Sequence, residues 1–171
     1  MQPKQAIGVC IRYMVARDMT QILKIEQKSF EFAWVEKDFL DYLRQRNSNG
    51  FVVEYDTRII GYMVYELHKP RLHILNFAVQ SDYRRQTVGQ QMADKLKEKS
   101  SAQHRKEIVL EVRETNLAAQ HFFYKQGFRA KRVLRGHYAD SAEDAYQMVY
   151  TLGETSEDVA GHISQNRLHS Y

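Results

Sequence analysis

Residues 107–128 read EIVLEVRETNLAAQHFFYKQGF, and a change of period inside them decides the fold. Over Glu107–Arg113, Ile108, Leu110 and Val112 alternate with Val109, Glu111 and Arg113, the two-residue repeat of a strand. From about Asn116 to Gln126 the spacing is helical, and Gly127 stands where a helix closes through a left-handed residue. Phe128 opens a further strand. Strand, helix and strand in such quick succession argue for an α/β sheet with adjacent parallel strands. Glu111 is the one acidic residue inside IVLEV. A carboxylate there is costly unless paired, hydrated or kept for use, so a solvated or Arg113-paired group and a working one are both open.

Upstream, Leu72–Val79 is another strand, followed by the polar loop SDYRRQ (81–86) and a helix carrying Val88, Met92 and Leu96 four residues apart. Phe51–Tyr55 and Ile59–Leu67 form a predicted hairpin turning at Asp56, Thr57 and Arg58. Gly8–Val15 reads as the first strand, Asp18 as the N-cap of a helix with Met19, Ile22, Leu23 and Ile25 on its apolar stripe. A second helix covers Glu36–Gln45, and Arg46–Gly50 reads as a stop and loop. Downstream, Phe128–Leu134 and Ala145–Thr151 flank the polar turn HYADSAED (137–144). The expectation is one domain over 1–152 and a loosely ordered polar tail over 153–171.

A chain of 171 residues, 43% hydrophobic and 27% charged with 2 prolines, suits one packed core and excludes disordered or collagen-like classes. No apolar run nears the roughly 18 residues of a bilayer span, and MQPKQAIGVC lacks the features of a secretory signal, so a cytoplasmic location without a membrane partner is expected. Cys10, alone, forms no internal disulfide and is expected in or near the core. The net charge of +4 is mild and dispersed, and no direct nucleic-acid binding is expected. The seven histidines, His73 among them, show no metal-ligand spacing; no metal is expected and each reads as a surface or loop residue. Neither G-x-S-x-G nor G-x-x-x-x-G-K-[ST] is present, which argues against a serine hydrolase and a nucleotide kinase.

The loop–helix junction Tyr83–Gln91 follows the carboxyl end of a strand. Its helix start offers free N–H groups and a positive dipole end, Gly89 permits close approach, and Arg84 and Arg85 add donors, the makings of a pyrophosphate site. A solvated basic loop fits the same residues. In FFYKQGF (122–128), Phe122, Phe123 and Phe128 read as core, with Tyr124 open between core and function.

Taken together, IEQKSFEFAW (25–34), LNFAV (75–79), YRRQTVGQQM (83–92), LEVRETNLAA (110–119), FYKQGF (123–128) and HYADSAEDAYQM (137–148) resemble the GNAT superfamily of N-acetyltransferases, most closely its ribosomal-protein-alanine (RimI) type. The resemblance implies a central mixed, mostly antiparallel twisted sheet of about seven strands with flanking helices, splayed between strands four and five. It implies acetyl-CoA as cosubstrate, with Phe77, Ala78 and Val79 along the pantetheine and thioester. Arg84, Arg85, Gln86, Thr87, Val88, Gly89 and Gln90 would cradle the pyrophosphate, and Asn116 would reach the cosubstrate while capping its helix. Two departures stand out. Thr87 occupies a position usually glycine, and Phe32-Ala33-Trp34-Val35 replaces F-P-W-S.

By the same resemblance Glu111 is the base that deprotonates an amine, provided its surroundings raise its pKa, and a backbone N–H of Ala78 or Val79 stabilises the oxyanion. Tyr124 is implied as the donor of a proton to the departing CoA thiolate. Trp34 and Tyr138 would grip the acceptor, a protein N-terminus such as alanine on a small-subunit ribosomal protein. Acetylation of lysine or a small amine, or a non-catalytic CoA- or RNA-binding module, are the competing readings. Oligomeric state is left open.

Overall fold

The computed structural model describes residues 5–153; the expected tail, Gly153 apart, lies outside the described residues. Seven strands share one sheet: β1 (Cys10–Tyr13), β2 (Ser48–Tyr55), β3 (Arg58–Leu67), β4 (Arg71–Val79), β5 (Glu107–Arg113), β6 (Arg129–Tyr138) and β7 (Glu143–Thr151). Their order is β1-β2-β3-β4-β5-β7-β6. Every neighbouring pair is antiparallel except β4 and β5. That parallel pairing joins only Arg71–His73 to Glu107–Val109. Beyond it β4 runs on to Val79 and β5 to Arg113 without pairing to each other, so the sheet splays at its middle. The mixed, mostly antiparallel splayed sheet implied by the family resemblance is the fold of this chain, while the adjacent parallel strands expected from the strand–helix alternation occur only at β4 and β5, since β7 lies between β5 and β6.

Side-chain alternation gives the sheet two apolar faces. On one, Ile108, Leu110 and Val112 meet α3 (Val88–Ala102) through Val88, Met92 and Leu96, and α4 (Leu117–Lys125) through Phe123. On the other, Val52, Tyr62, Val64 and Ala78 meet α1 (Met19–Ser29) through Met19, Ile22 and Ile25, and α2 (Glu36–Leu43) through Phe39. The β2–β3 hairpin turns on Asp56 at φ 47° and Thr57 at φ 63°, the positive-φ pair that matches strand twist.

Several local expectations are corrected. Asp18 does not cap α1; its carboxylate accepts the Val15 N–H at 2.9 Å and a two-pronged bond from Arg12 at 2.8 and 2.9 Å. Ser48–Gly50 belongs to β2 rather than to a loop. Gly50 is there because the Met14 side chain fills the place of a β-carbon, 3.0–3.2 Å away. Cys10 is exposed, because β1 is an edge strand covered only by β2. α2 ends at Leu43, short of Gln45.

Gly61 on β3 fixes how closely β4 can lie. A β-carbon there would sit 2.9 Å from the Ala78 carbonyl oxygen, a backbone atom that cannot rotate away. Gly61→Ala is therefore expected to destabilise the fold by about 2 kcal/mol, in the range of overpacked cores. Chemical denaturation checks it: a midpoint equal to that of the parent would show that β3 and β4 part at no cost.

Candidate active site

The parting of β4 and β5 leaves a cleft of about 680 Å³ that passes through the sheet. Its sides are Ile74–Phe77 of β4 and Leu110–Arg113 of β5. At one mouth stand Phe32 and Trp34 of the α1–α2 loop, with Tyr42 stacked on Trp34 at 4.8 Å and the β6–β7 turn contributing Tyr138 and Asp140. At the other stand Asn116, Ala119 and Phe123 of α4.

Glu111 projects into this cleft from β5. Its carboxylate meets Nε2 of His73 at 2.5 Å and accepts Nε2–H of Gln147 at 3.1 Å. Burial pushes the Glu111 carboxyl up, but the His73 hydrogen bond and charge, with the Gln147 bond, outweigh it and hold the group below the usual glutamate range. The raised pKa expected for a base is thus corrected to a lowered one. Arg113 is not its partner either; that guanidinium binds Asp140 at 2.7 Å and Glu143 at 2.8 Å. His73, read as a surface residue, lies on β4 at the last paired position before the splay. Nothing in spacing alone marks it, because the His73–Glu111 contact crosses two strands distant in sequence. The cue available was its place in a β-rich run on the same sheet.

Strand phase settles which backbone groups face the cleft. Gln80 N–H donates to Ile60 O at 2.8 Å, so by alternation Ala78 also turns its polar groups to β3. Phe77 and Val79 direct theirs away, toward the unpaired side of β4. Of the two N–H groups expected as oxyanion donors, that of Ala78 is turned to β3 and that of Val79 faces the unpaired side. The Val79 carbonyl accepts Nε–H of Arg84 at 2.8 Å, so Arg84 braces the end of β4 instead of lying over the helix start.

Arg85 at φ 62° and Thr87 at φ 65° are both left-handed, and together they curl the loop so that it leads into α3. The first α3 bond runs from Gln91 N–H to Thr87 O at 3.0 Å, which leaves the N–H groups of Val88, Gly89 and Gln90 ahead of the helical ladder. Thr87 takes the strained conformation that glycine would take freely. Its hydroxyl donates to Gln86 O at 2.6 Å and accepts Nε2–H of Gln91 at 3.2 Å, while the Gln86 side chain donates to Asp82 O. Gly89 has a packing reason for its missing side chain: a β-carbon would lie 3.0 Å from the Phe122 ring.

α4 begins at Asn116, whose Oδ1 accepts Ala119 N–H at 3.1 Å, so the expected cap is present. Tyr124 is not in the cleft. It is 56% exposed, stacks under Arg129 and shares an outer depression with Leu117, Gln120 and His121. Phe123 holds the inward position beside Phe77, with ring centroids 5.4 Å apart.

Residues 19–128 match the Acetyltransferase (GNAT) family, well over half of the chain. The chain belongs to the GNAT acetyltransferases. It is 30% identical to the N-alpha-acetyltransferase of Sulfurisphaera tokodaii, an alignment covering 83% of this chain and 92% of that one. It is 28% identical to the [ribosomal protein bS18]-alanine N-acetyltransferase of Escherichia coli K12, over 79% of this chain and 92% of the relative. Among solved structures, Ard1 from Thermoplasma volcanium superposes with a TM-score of 0.79 at 27% identity, covering 86% of this chain and all of that one.

In this GNAT acetyltransferase the structure gathers Glu111, Trp34, Tyr138, Phe77 and Asn116 around one cleft, and adds His73 and Phe123 to them. It sets Tyr124 apart. Tyr138 donates weakly to the Glu111 carbonyl at 3.4 Å, with the Arg113 guanidinium 3.8 Å over its ring. Burial raises its phenol pKa, the nearby carboxylates add to that rise, and Arg113 opposes it, so the hydroxyl stays protonated. Among the described residues no helix is long and apolar enough to cross a membrane, and no cluster of three His, Cys, Asp or Glu could hold a metal.

Proposed function

We propose that this acetyltransferase is an acetyl-CoA-dependent protein N-α-acetyltransferase, with an alanine terminus such as that of a ribosomal protein as its preferred acceptor. The observation that carries the reading is the cleft between β4 and β5 with Glu111 projecting into it and His73 bonded to that carboxylate, open to the α1–α2 loop at one end and to the start of α4 at the other. Relatives named for N-alpha and ribosomal-protein-alanine acetylation support the choice of acceptor.

The residues at the inner end fit the cosubstrate. The left-handed Arg85 and Thr87 and the N–H groups of Val88, Gly89 and Gln90 suit a diphosphate, since a helix start with unpaired amides attracts anions. Arg84 contributes by bracing the loop, and Gln86 by fixing its turn. Asn116 stands beside this path, and Phe77, Ala78 and Val79 form the strand along which the pantetheine lies. Acetyl-CoA supplies a thioester carbonyl to which an amine adds as the C–S bond breaks. Val79 N–H donates to the carbonyl oxygen on which charge develops.

At the outer end the cleft is acidic although the chain carries +4: among the described residues Asp38, Glu111 and Asp140 line it against the guanidinium of Arg113. Such a lining attracts an ammonium. Trp34 and Tyr138 flank the entry and hold the first residues of the peptide. Glu111, ionised and held by His73, takes the proton the amine gives up, directly or through one water. Tyr124 has no part in this, being in a separate depression between α4 and the β6–β7 strands.

The test is CoA-thiol release with peptides of varied first residue, N-terminally blocked lysine peptides and polyamines. Turnover is expected with free N-termini, alanine foremost. Faster transfer to blocked lysine peptides or to polyamines would replace the N-α reading.

A further inference from the structure

Glu26 is a carboxylate only 1% exposed, on α1, and among the described residues no cation pairs with it. Three donors converge on it. Oε1 accepts the Trp34 backbone N–H at 2.7 Å, and Oε2 accepts the Tyr62 hydroxyl in a short bond and Nδ2–H of Asn76 at 3.2 Å. Tyr62 and Asn76 are themselves linked at 3.3 Å. The four groups come from α1, the α1–α2 loop, β3 and β4. Burying a charge without a counter-ion is expensive, and a leucine or methionine would fill the same space. What only a carboxylate offers is two acceptor oxygens and no donor, which is what three converging donors require.

The network ties one mouth of the cleft to one of its sides. Trp34 belongs to the acceptor mouth, while Asn76 directly precedes the strand segment Phe77–Val79. Asp38 secures the next amide of the same loop, accepting Val35 N–H at 2.8 Å. We propose that Glu26 is a positioning residue that fixes the Trp34 loop against β4, and so sets the acceptor amine in line with the thioester without touching either. This rests on the reading of the cleft as an N-α-acetyltransferase site.

The chain's single tryptophan is Trp34 itself, so its fluorescence reports the loop independently of turnover. Glu26→Ala removes the anchor and Glu26→Gln keeps an acceptor for Trp34 N–H but turns a donor toward Tyr62 and Asn76. Glu26→Asp keeps the carboxyl group but is too short to span Trp34 and Asn76 together. In Glu26→Ala, acceptor KM is expected to rise about tenfold, about 1.4 kcal/mol, with acetyl-CoA Kd within about twofold of the parent and Trp34 more open to acrylamide quenching. Glu26→Gln is expected to fall between parent and alanine on the first and third measures. If the alanine variant does not fold, Glu26→Asp takes its place with the same expectations. Unchanged quenching and unchanged acceptor KM in a folded variant would overturn the proposal, as would an acetyl-CoA Kd that weakens by the same factor as the acceptor. A parent protein that turns over no peptide would count against the N-α reading alone, since quenching and acetyl-CoA binding still decide the role of Glu26.

Discussion

Glu111→Gln is expected to lower kcat by about 10²- to 10³-fold, in the range of a lost general base, while acetyl-CoA binds within about twofold of the parent. The carboxylate lies in the cleft within reach of His73 and Gln147 and at a distance from the loop ahead of α3, so its loss removes proton acceptance and leaves cosubstrate contacts in place. The amide is isosteric and still bonds the strand neighbours, so the fold should survive. Stopped-assay kinetics with saturating acetyl-CoA, beside calorimetric binding, separate the two effects.

The pH profile carries a second, sharper consequence. Although burial pushes Glu111 up, its bonds to His73 and Gln147 prevail, and the folded pKa lies below the usual glutamate value. A carboxylate with a depressed pKa is ionised at every pH above its unfolded value of roughly 4.3 and loses its charge only below that. Between pH 6 and 8 it does not titrate. An acceptor α-amine, with a pKa of about 7.7 to 8.0, does. kcat/KM should therefore rise with pH through this window along the titration of the substrate, and Glu111→Gln should lower the whole curve without moving its midpoint. A midpoint displaced by the substitution would mean that Glu111 itself titrates near neutrality and that its hydrogen bonds to His73 and Gln147 do not hold in solution.

Much of this site was legible from local pattern. The alternation around Glu111, the breaker at Gly127 with its φ of 93°, and the cap at Asn116 each follow from residues a few positions apart, where dihedral preference and periodicity act directly. The contacts that were missed lie between segments far apart in sequence. His73 meets Glu111 only because two parallel strands come into register at His73 and Val109 and then part. Glu26 looks like a surface residue on an amphipathic helix until Trp34, Tyr62 and Asn76 are folded around it. Gly50 was misread for a related reason, since a glycine that admits Met14 and a glycine that makes a turn look alike in one dimension.

Tyr124 is the instructive case, because helix phase alone separates it from the cleft. The α4 residues at the cleft are Asn116, Ala119 and Phe123, and those of the outer depression are Leu117, Gln120, His121 and Tyr124, two stripes at helical spacing about 100° apart. Tyr124→Phe is accordingly expected to leave kcat within about twofold of the parent. Phe123→Ala is expected to cost about 3–5 kcal/mol of stability, as buried phenylalanines do. The ring is 6% exposed and meets Phe77, Phe122 and Phe128 with centroids 5.0–5.4 Å apart. It also backs the wall opposite Glu111, so a cavity there should loosen Phe77 and weaken acetyl-CoA binding along with the fold. Phe123→Leu, which refills most of the volume, gives a folded protein for the kinetic comparison. Urea denaturation and acetyl-CoA calorimetry on the set decide between the two neighbours. A large loss of kcat in Tyr124→Phe, with a Phe123→Ala midpoint equal to that of the parent, would mean that α4 is rotated by about one residue from the phase described.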